Sequence, residues 1–210
     1  MITIDFLATV VIVSASGALT PGPLFLASTI RATRVGWVAG LQCAIGHTLI
    51  EFPLVIGVSV GLSEFFLGSV KLIGLVGGAT LLGFGLLQVI NARRPIDLFQ
   101  KPFVQWDKRS GVVLGLVFTA INPFFLIWWA TVGSLLVAQA LVLGALLGVL
   151  ALFGAHIWMD YAWLTGTSTL ASRGKLVLGK WYRSLLVFFG LAMSYFGLMF
   201  ILAFLGWVGQ

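Results

Sequence analysis

The sequence predicts an all-α polytopic integral membrane protein of about six transmembrane helices, in two inverted three-helix repeats with broken helices 1 and 4. Three observations lead there: an apolar composition, six apolar stretches of spanning length, and basic residues gathered in alternate linkers. Hydrophobic residues make up 60% of the 210 and charged residues 9%, against about 45–50% and 25% in a soluble domain. A soluble chain this short buries only roughly 70% of the surface exposed by its unfolded form. The apolar excess would coat the exterior and drive aggregation, so lipid is the solvent that fits.

A spanning helix needs about 20 mainly apolar residues. Such stretches run near 3–30, 38–62, 68–91, 111–137, 140–165 and 184–207. The remaining linkers are short, so the chain reads as one transmembrane domain over 1–210. Repeat one covers 1–91, a cytoplasmic linker 92–110, and repeat two 111–210. The stretch from Met1 to Phe6 carries Asp5 and no basic residue, so the first helix is expected to be retained and not cleaved as a signal. Cys43 is the one cysteine, which excludes an intrachain disulfide or dithiol chemistry.

The net charge of +6 is distributed by linker. Arg31 and Arg34 follow span one; Arg93, Arg94, Lys101, Lys108 and Arg109 follow span three; Arg173, Lys175, Lys180 and Arg183 follow span five. Lys71 alone lies elsewhere. Linkers after odd spans share one membrane face, which the positive-inside rule makes cytoplasmic, with both termini outside a multi-pass protein of the cell membrane. The basic excess therefore reads as orientation and attraction to anionic lipid, not as nucleic-acid binding.

Span one is interrupted by Thr20-Pro21-Gly22-Pro23. Each proline lacks an amide hydrogen and its ring clashes with the preceding turn, so the helix is expected to break there. In span four, Asn122 before Pro123 reads as an N-cap followed by proline at the first helical position. Pro23, Phe25 and Leu26 recur as Pro123, Phe125 and Leu126, each set in the first helix of a half. A half-helix starting inside lipid would leave amides without partners, at several kcal/mol each, unless it lines a protein-buried or watered cavity. A plain kink is the alternative at either site. Paired interruptions in inverted halves are the sequence pointer to a transport site near the midplane.

Spans two and five each carry a histidine followed four residues later by an acid: His47 with Glu51, and His156 with Asp160. That spacing puts each pair on one helical face. Ionised groups at a helix centre cost at least about 2.5–3.5 kcal/mol in lipid, so such residues face the bundle interior. Counted from the cytoplasmic ends of their spans, both histidines lie about ten residues deep and are expected at a common level. Three readings stay open: a proton-coupling group, a divalent metal site of two imidazoles and two carboxylates, and hydrogen-bonded glue between helices. Ser14, Ser16, Gln42, Gln88, Ser194 and Tyr195 could line a path or simply bridge helices, and the glycines of span three read as close packing. Trp37, Trp106, Trp181 and Trp207 sit at span ends as interfacial anchors; Trp128, Trp129 and Trp163 lie too deep for that role.

Taken in order, these motifs resemble the LysE/RhtB superfamily of amino-acid exporters, particularly its archaeal-type translocator branch. The resemblance rests on Leu19 to Pro23, Gly40-Leu41, Gly46-His47, Glu51-Phe52-Pro53, Ile121-Asn122-Pro123, Trp128 to Gly133, His156, Asp160 and Trp163. Where better-known members typically carry an aspartate, this chain has His47. The resemblance implies six spans and secondary active export, driven by proton exchange, of amino acids or similar zwitterionic or cationic solutes.

Joined to the residues, it gives a concrete expectation. Substrate binding falls to Thr20, Pro21, Gly22, Pro23, Asn122 and Pro123, with the amides of Gly22 to Leu24 and of Phe124 and Phe125 cradling a carboxylate. His47, Glu51, His156 and Asp160 meet the ammonium group or carry the protons. Partners are then the amino acid, protons and membrane lipid, with small-residue faces permitting a homodimer and no cofactor required. A divalent-metal exporter using the same four side chains is the alternative. An intramembrane metal-dependent enzyme is the rival from another class, disfavoured by the transport-like halves.

Overall fold

A computed structural model describes residues 2–65, 70–92, 110–173 and 180–206, all built from helices and their connections. Helix α1 (Ile4–Ala18) starts at Thr3, whose hydroxyl accepts from the Phe6 amide at 3.2 Å. It stops one turn before Pro21, and α2 (Pro23–Val35) starts afresh with proline at its first position, where a missing amide hydrogen costs nothing. The two axes differ by 70°. Span one is therefore broken, as the prolines predict.

Helix α3 (Val38–Phe65) runs 28 residues without interruption, about 42 Å at ~1.5 Å per residue and enough to cross a bilayer. Helix α4 (Val70–Asn91) follows. After Ser110, whose hydroxyl caps the Val113 amide at 3.3 Å, α5 (Gly111–Ala120) ends at Ile121, and α6 (Pro123–Trp128) restarts beyond Asn122. A five-residue π-helical segment, Trp129–Gly133, joins α6 to α7 (Ser134–Ser172), and α8 (Lys180–Phe204) closes the described chain.

The helical run Phe124–Ser172 holds 49 residues, more than twice a single span. It divides at Gly144 and Ala145, the latter in the left-handed region at φ 47. A side chain there is held against its steric preference by the close packing of the two arms, since a Cβ on Gly148 would strike the carbonyl of Ala140. The arm after Ala145 continues to Ser172, so the helix expected over 140–165 begins and ends later than hydropathy placed it. Gly144-Ala145 is chemically indistinguishable from continuing helix in a window of apolar residues.

Burial is inverted relative to a soluble protein. Val142, Leu147, Trp158 and Leu191 are exposed, whereas Ser14, His47, Glu51, His156 and Asp160 are buried. This is the arrangement of an all-α polytopic membrane protein. Glycines set the closest helix approaches: a Cβ on Gly46 would run into the Val112 carbonyl and one on Gly115 into that of Cys43, which seats α5 on α3. Gly85 against Gly190 and Ser194, and Gly197 against Gly78, bring α4 and α8 together. Trp37 is exposed at the start of α3. The linker 93–109, Trp106 and Trp207 lie outside the described residues, as do the side chains of Lys71, Pro123 and Trp181.

Candidate functional site

Both breaks open onto one cavity of about 340 Å³. From break one it is lined by Thr20, Pro21, Gly22 and Pro23, and from break two by Asn122. The side chains of His47, Glu51, His156 and Asp160 form its polar wall. Nine of the ten residues singled out from sequence thus meet at one place; the tenth, Pro123, opens α6 at the same break.

The polar wall is built by α3 and the second arm of α7. His47 Nε2 lies 3.3 Å from Glu51 Oε1 on its own helix, and His156 Nε2 lies 3.5 Å from Asp160 Oδ2 on the other. The cross-helix contacts join unlike residues: His156 Nε2 to Glu51 Oε1 at 3.1 Å, and His47 Nε2 to Asp160 Oδ1 at 3.8 Å. Further along the same two helices, Thr48 donates to the Tyr161 hydroxyl at 3.2 Å and the rings of Phe52 and Phe153 meet at 5.1 Å. Partners descend on α7 as they ascend on α3, so the helices are antiparallel and each histidine stands level with the acid of the other helix. The two histidines thus start about one helical turn apart along the pair, yet both imidazole Nε2 atoms converge on Glu51 Oε1.

Two residues that sequence reading did not assign complete the network. Thr119, in the last turn of α5, stands with its hydroxyl 2.8 Å from His47 Nδ1. The Trp129 indole donates to Glu51 Oε1 at 3.0 Å. Trp129 opens the π-helical segment; a Cβ on Gly133 would strike its ring, and Ser134 donates to its carbonyl at 2.8 Å. Such bulges commonly re-aim side chains at functional sites. The depth of Trp129 was the available sequence signal. Glu51 Oε2 and His156 Nδ1 remain buried without a hydrogen-bonding partner among the described residues, so the network retains unused polar capacity.

The breaks differ in their own satisfaction. Asn122 Oδ1 accepts from the Phe124 amide at 3.1 Å, which removes Phe124 from the carboxylate donors expected from sequence. Gly22, extended at φ −115, caps α2 with no side-chain hydrogen bond. The positive end of a 13-residue helix therefore lines the cavity at break one without a capping side chain from its own N-cap residue.

A family model described as LysE type translocator matches residues 15–203. The chain belongs to that family. It is accordingly a multi-pass membrane transport protein, whose family moves amino acids or similar solutes and is not enzymatic. Comparison with curated proteins and with solved structures returned no match. The matched segment contains both breaks and all four ionisable residues of the translocator cavity.

Proposed function

We propose that this translocator exports amino acids or similar small zwitterionic or cationic solutes in exchange for protons. The observation that carries the reading is the convergence of two helix breaks and four titratable side chains on one cavity. A zwitterion has complementary needs. Its carboxylate takes the Gly22 and Leu24 amides and the positive end of α2, and its ammonium meets Glu51 and Asp160.

Protons arriving from outside at His47, Glu51, His156 or Asp160 lower the negative charge facing the ammonium. Inward proton movement then favours outward solute release as the halves rock. In this reading the six spans form two inverted repeats, 1–91 and 111–210, as one domain with the basic linkers cytoplasmic and both termini outside. The antiparallel passage of α3 and α7 supports opposed halves.

The test is flux in proteoliposomes under an imposed pH gradient. Glu51→Gln keeps an oxygen for the Trp129 indole and is expected to fold with unchanged thermal stability while abolishing pH-driven flux. Full retained coupling removes Glu51 from the mechanism.

A specific observation also favours a divalent-cation exporter: one donor atom each from His47, Glu51 and Asp160 lie within 4.8 Å of one another. Zinc or manganese would suit such a set. Stoichiometric metal in the purified protein, lost in His47→Ala, would establish that reading over amino-acid export.

A further inference from the structure

Among the described residues Glu51 and Asp160 are the two acids on the cavity wall, and they form one anionic centre, not two. Their nearest oxygens fall within the same 4.8 Å cluster, and His47 and His156 each reach both acids. An α-ammonium seated there leaves no separate carboxylate for a second cation at the far end of a lysine or arginine side chain. Among the described residues no lysine or arginine lines the cavity either, so a second carboxylate on the solute would have only His47 and His156 to meet it, and both of these already contact Glu51 and Asp160. Burying an unmatched charge at this depth is costly.

Much of the remaining wall is aromatic, with Phe25, Phe118, Phe125 and Trp163 among the lining residues. Two hydrogen-bond donors on this surface lack a use among the described residues. The indole N–H groups of Trp128 and Trp163 are buried and have no hydrogen-bonding partner among the described residues. Trp128 is only 4% exposed. Both flank break one. A Cβ on Gly17, in the last turn of α1, would lie 3.1 Å from Trp128 Nε1, and the Trp163 ring stacks on Phe25, in the first turn of α2, at 5.7 Å and 22°. They stand beside the start of α2, whose positive end lines the cavity and favours an anion.

We infer that the solute is a neutral amino acid with a large apolar or aromatic side chain, whose carboxylate is held by the Trp128 and Trp163 indole N–H groups beside the start of α2. The inference rests on the amino-acid reading above and narrows it. The side chain packs among the phenylalanines, where ring contacts are favourable, and the ammonium takes the one acidic centre.

The experiment measures binding of L-phenylalanine, L-leucine, L-lysine, L-glutamate and phenethylamine to purified full-length protein, for the native chain, Trp128→Phe and Trp163→Phe. Phenethylamine is phenylalanine without its carboxylate. The native protein is expected to bind phenylalanine and leucine, with lysine and glutamate roughly a hundredfold weaker. Each Trp→Phe change keeps a ring but removes the donor, and is expected to weaken phenylalanine roughly tenfold or more while leaving phenethylamine within about twofold. A merely structural role would move both ligands together, and thermal unfolding without ligand reports any loss of fold. Lysine binding as tightly as phenylalanine, or equal weakening of phenylalanine and phenethylamine, overturns the inference and leaves amino-acid export standing. Binding of no amino acid at all removes the export reading itself, and this inference with it.

Discussion

The two helix breaks look alike in sequence and differ in how the protein completes them. Break two is closed by its own chemistry: Asn122 caps the Phe124 amide, and the helix before the break is seated on α3 through Gly46 and Gly115. Break one has no side-chain cap, and a Cβ on Gly22 would meet nothing nearer than the Thr20 carbonyl at 4.0 Å. A proline-interrupted span can thus serve as a fixed wall or as a surface with donors to offer. What separates them is whether a neighbouring side chain satisfies the new helix start. On the function proposed above, break one is accordingly the half where a solute anion gains most.

The sharpest test of the contrast is at the glycine crossing behind break two. A leucine at Gly115 would collide with backbone, not with a flexible side chain, so α5 and α3 must part. Gly115→Leu is expected to destabilise the protein by about 3 kcal/mol or more, read from denaturant or thermal unfolding in detergent. A cost below about 1 kcal/mol would show that the crossing yields easily and that break two is not held as described.

Next in size is the cap itself. Asn122→Ala removes the acceptor for the Phe124 amide and is expected to cost about 1 kcal/mol in the same assay. Because that amide is taken up within the protein, solute affinity should fall much less than in Trp128→Phe. A loss of binding as large as that of the tryptophan variant, at unchanged stability, would mean Asn122 contacts the solute directly and that the two breaks share the task.

Both breaks were legible in sequence because proline acts locally: the lost donor and the ring clash do not depend on tertiary context. The four ionisable residues were legible for a different reason, since charge in lipid is too costly to be incidental. Their convergence was foreseen, but their pairing was not, because it depends on where α7 turns. Gly144-Ala145 carries no proline or polar residue to mark that turn. Thr119 and Trp129 escaped for a related reason. A threonine in a span is usually bonded to its own helix, and the π-helical register that aims Trp129 at Glu51 shifts its side chain away from the face an ideal helix would give it.

The smallest expected effect is the most discriminating in sign. At Gly22 the backbone is extended, at φ −115 and ψ −168, a region open to any residue, and there is room for a methyl group. Gly22→Ala should therefore restrict the unfolded chain without straining the folded one, and raise stability by about 0.5 kcal/mol. The same kind of change at Gly115 acts in the opposite direction because its space is occupied by the Cys43 carbonyl. Measured side by side in one unfolding assay, the two glycines report directly on which break is packed and which is open. Destabilisation of Gly22→Ala by more than about 1 kcal/mol would mean that break one is locked as tightly as break two, and its uncapped helix start could not be the adaptable half of the site.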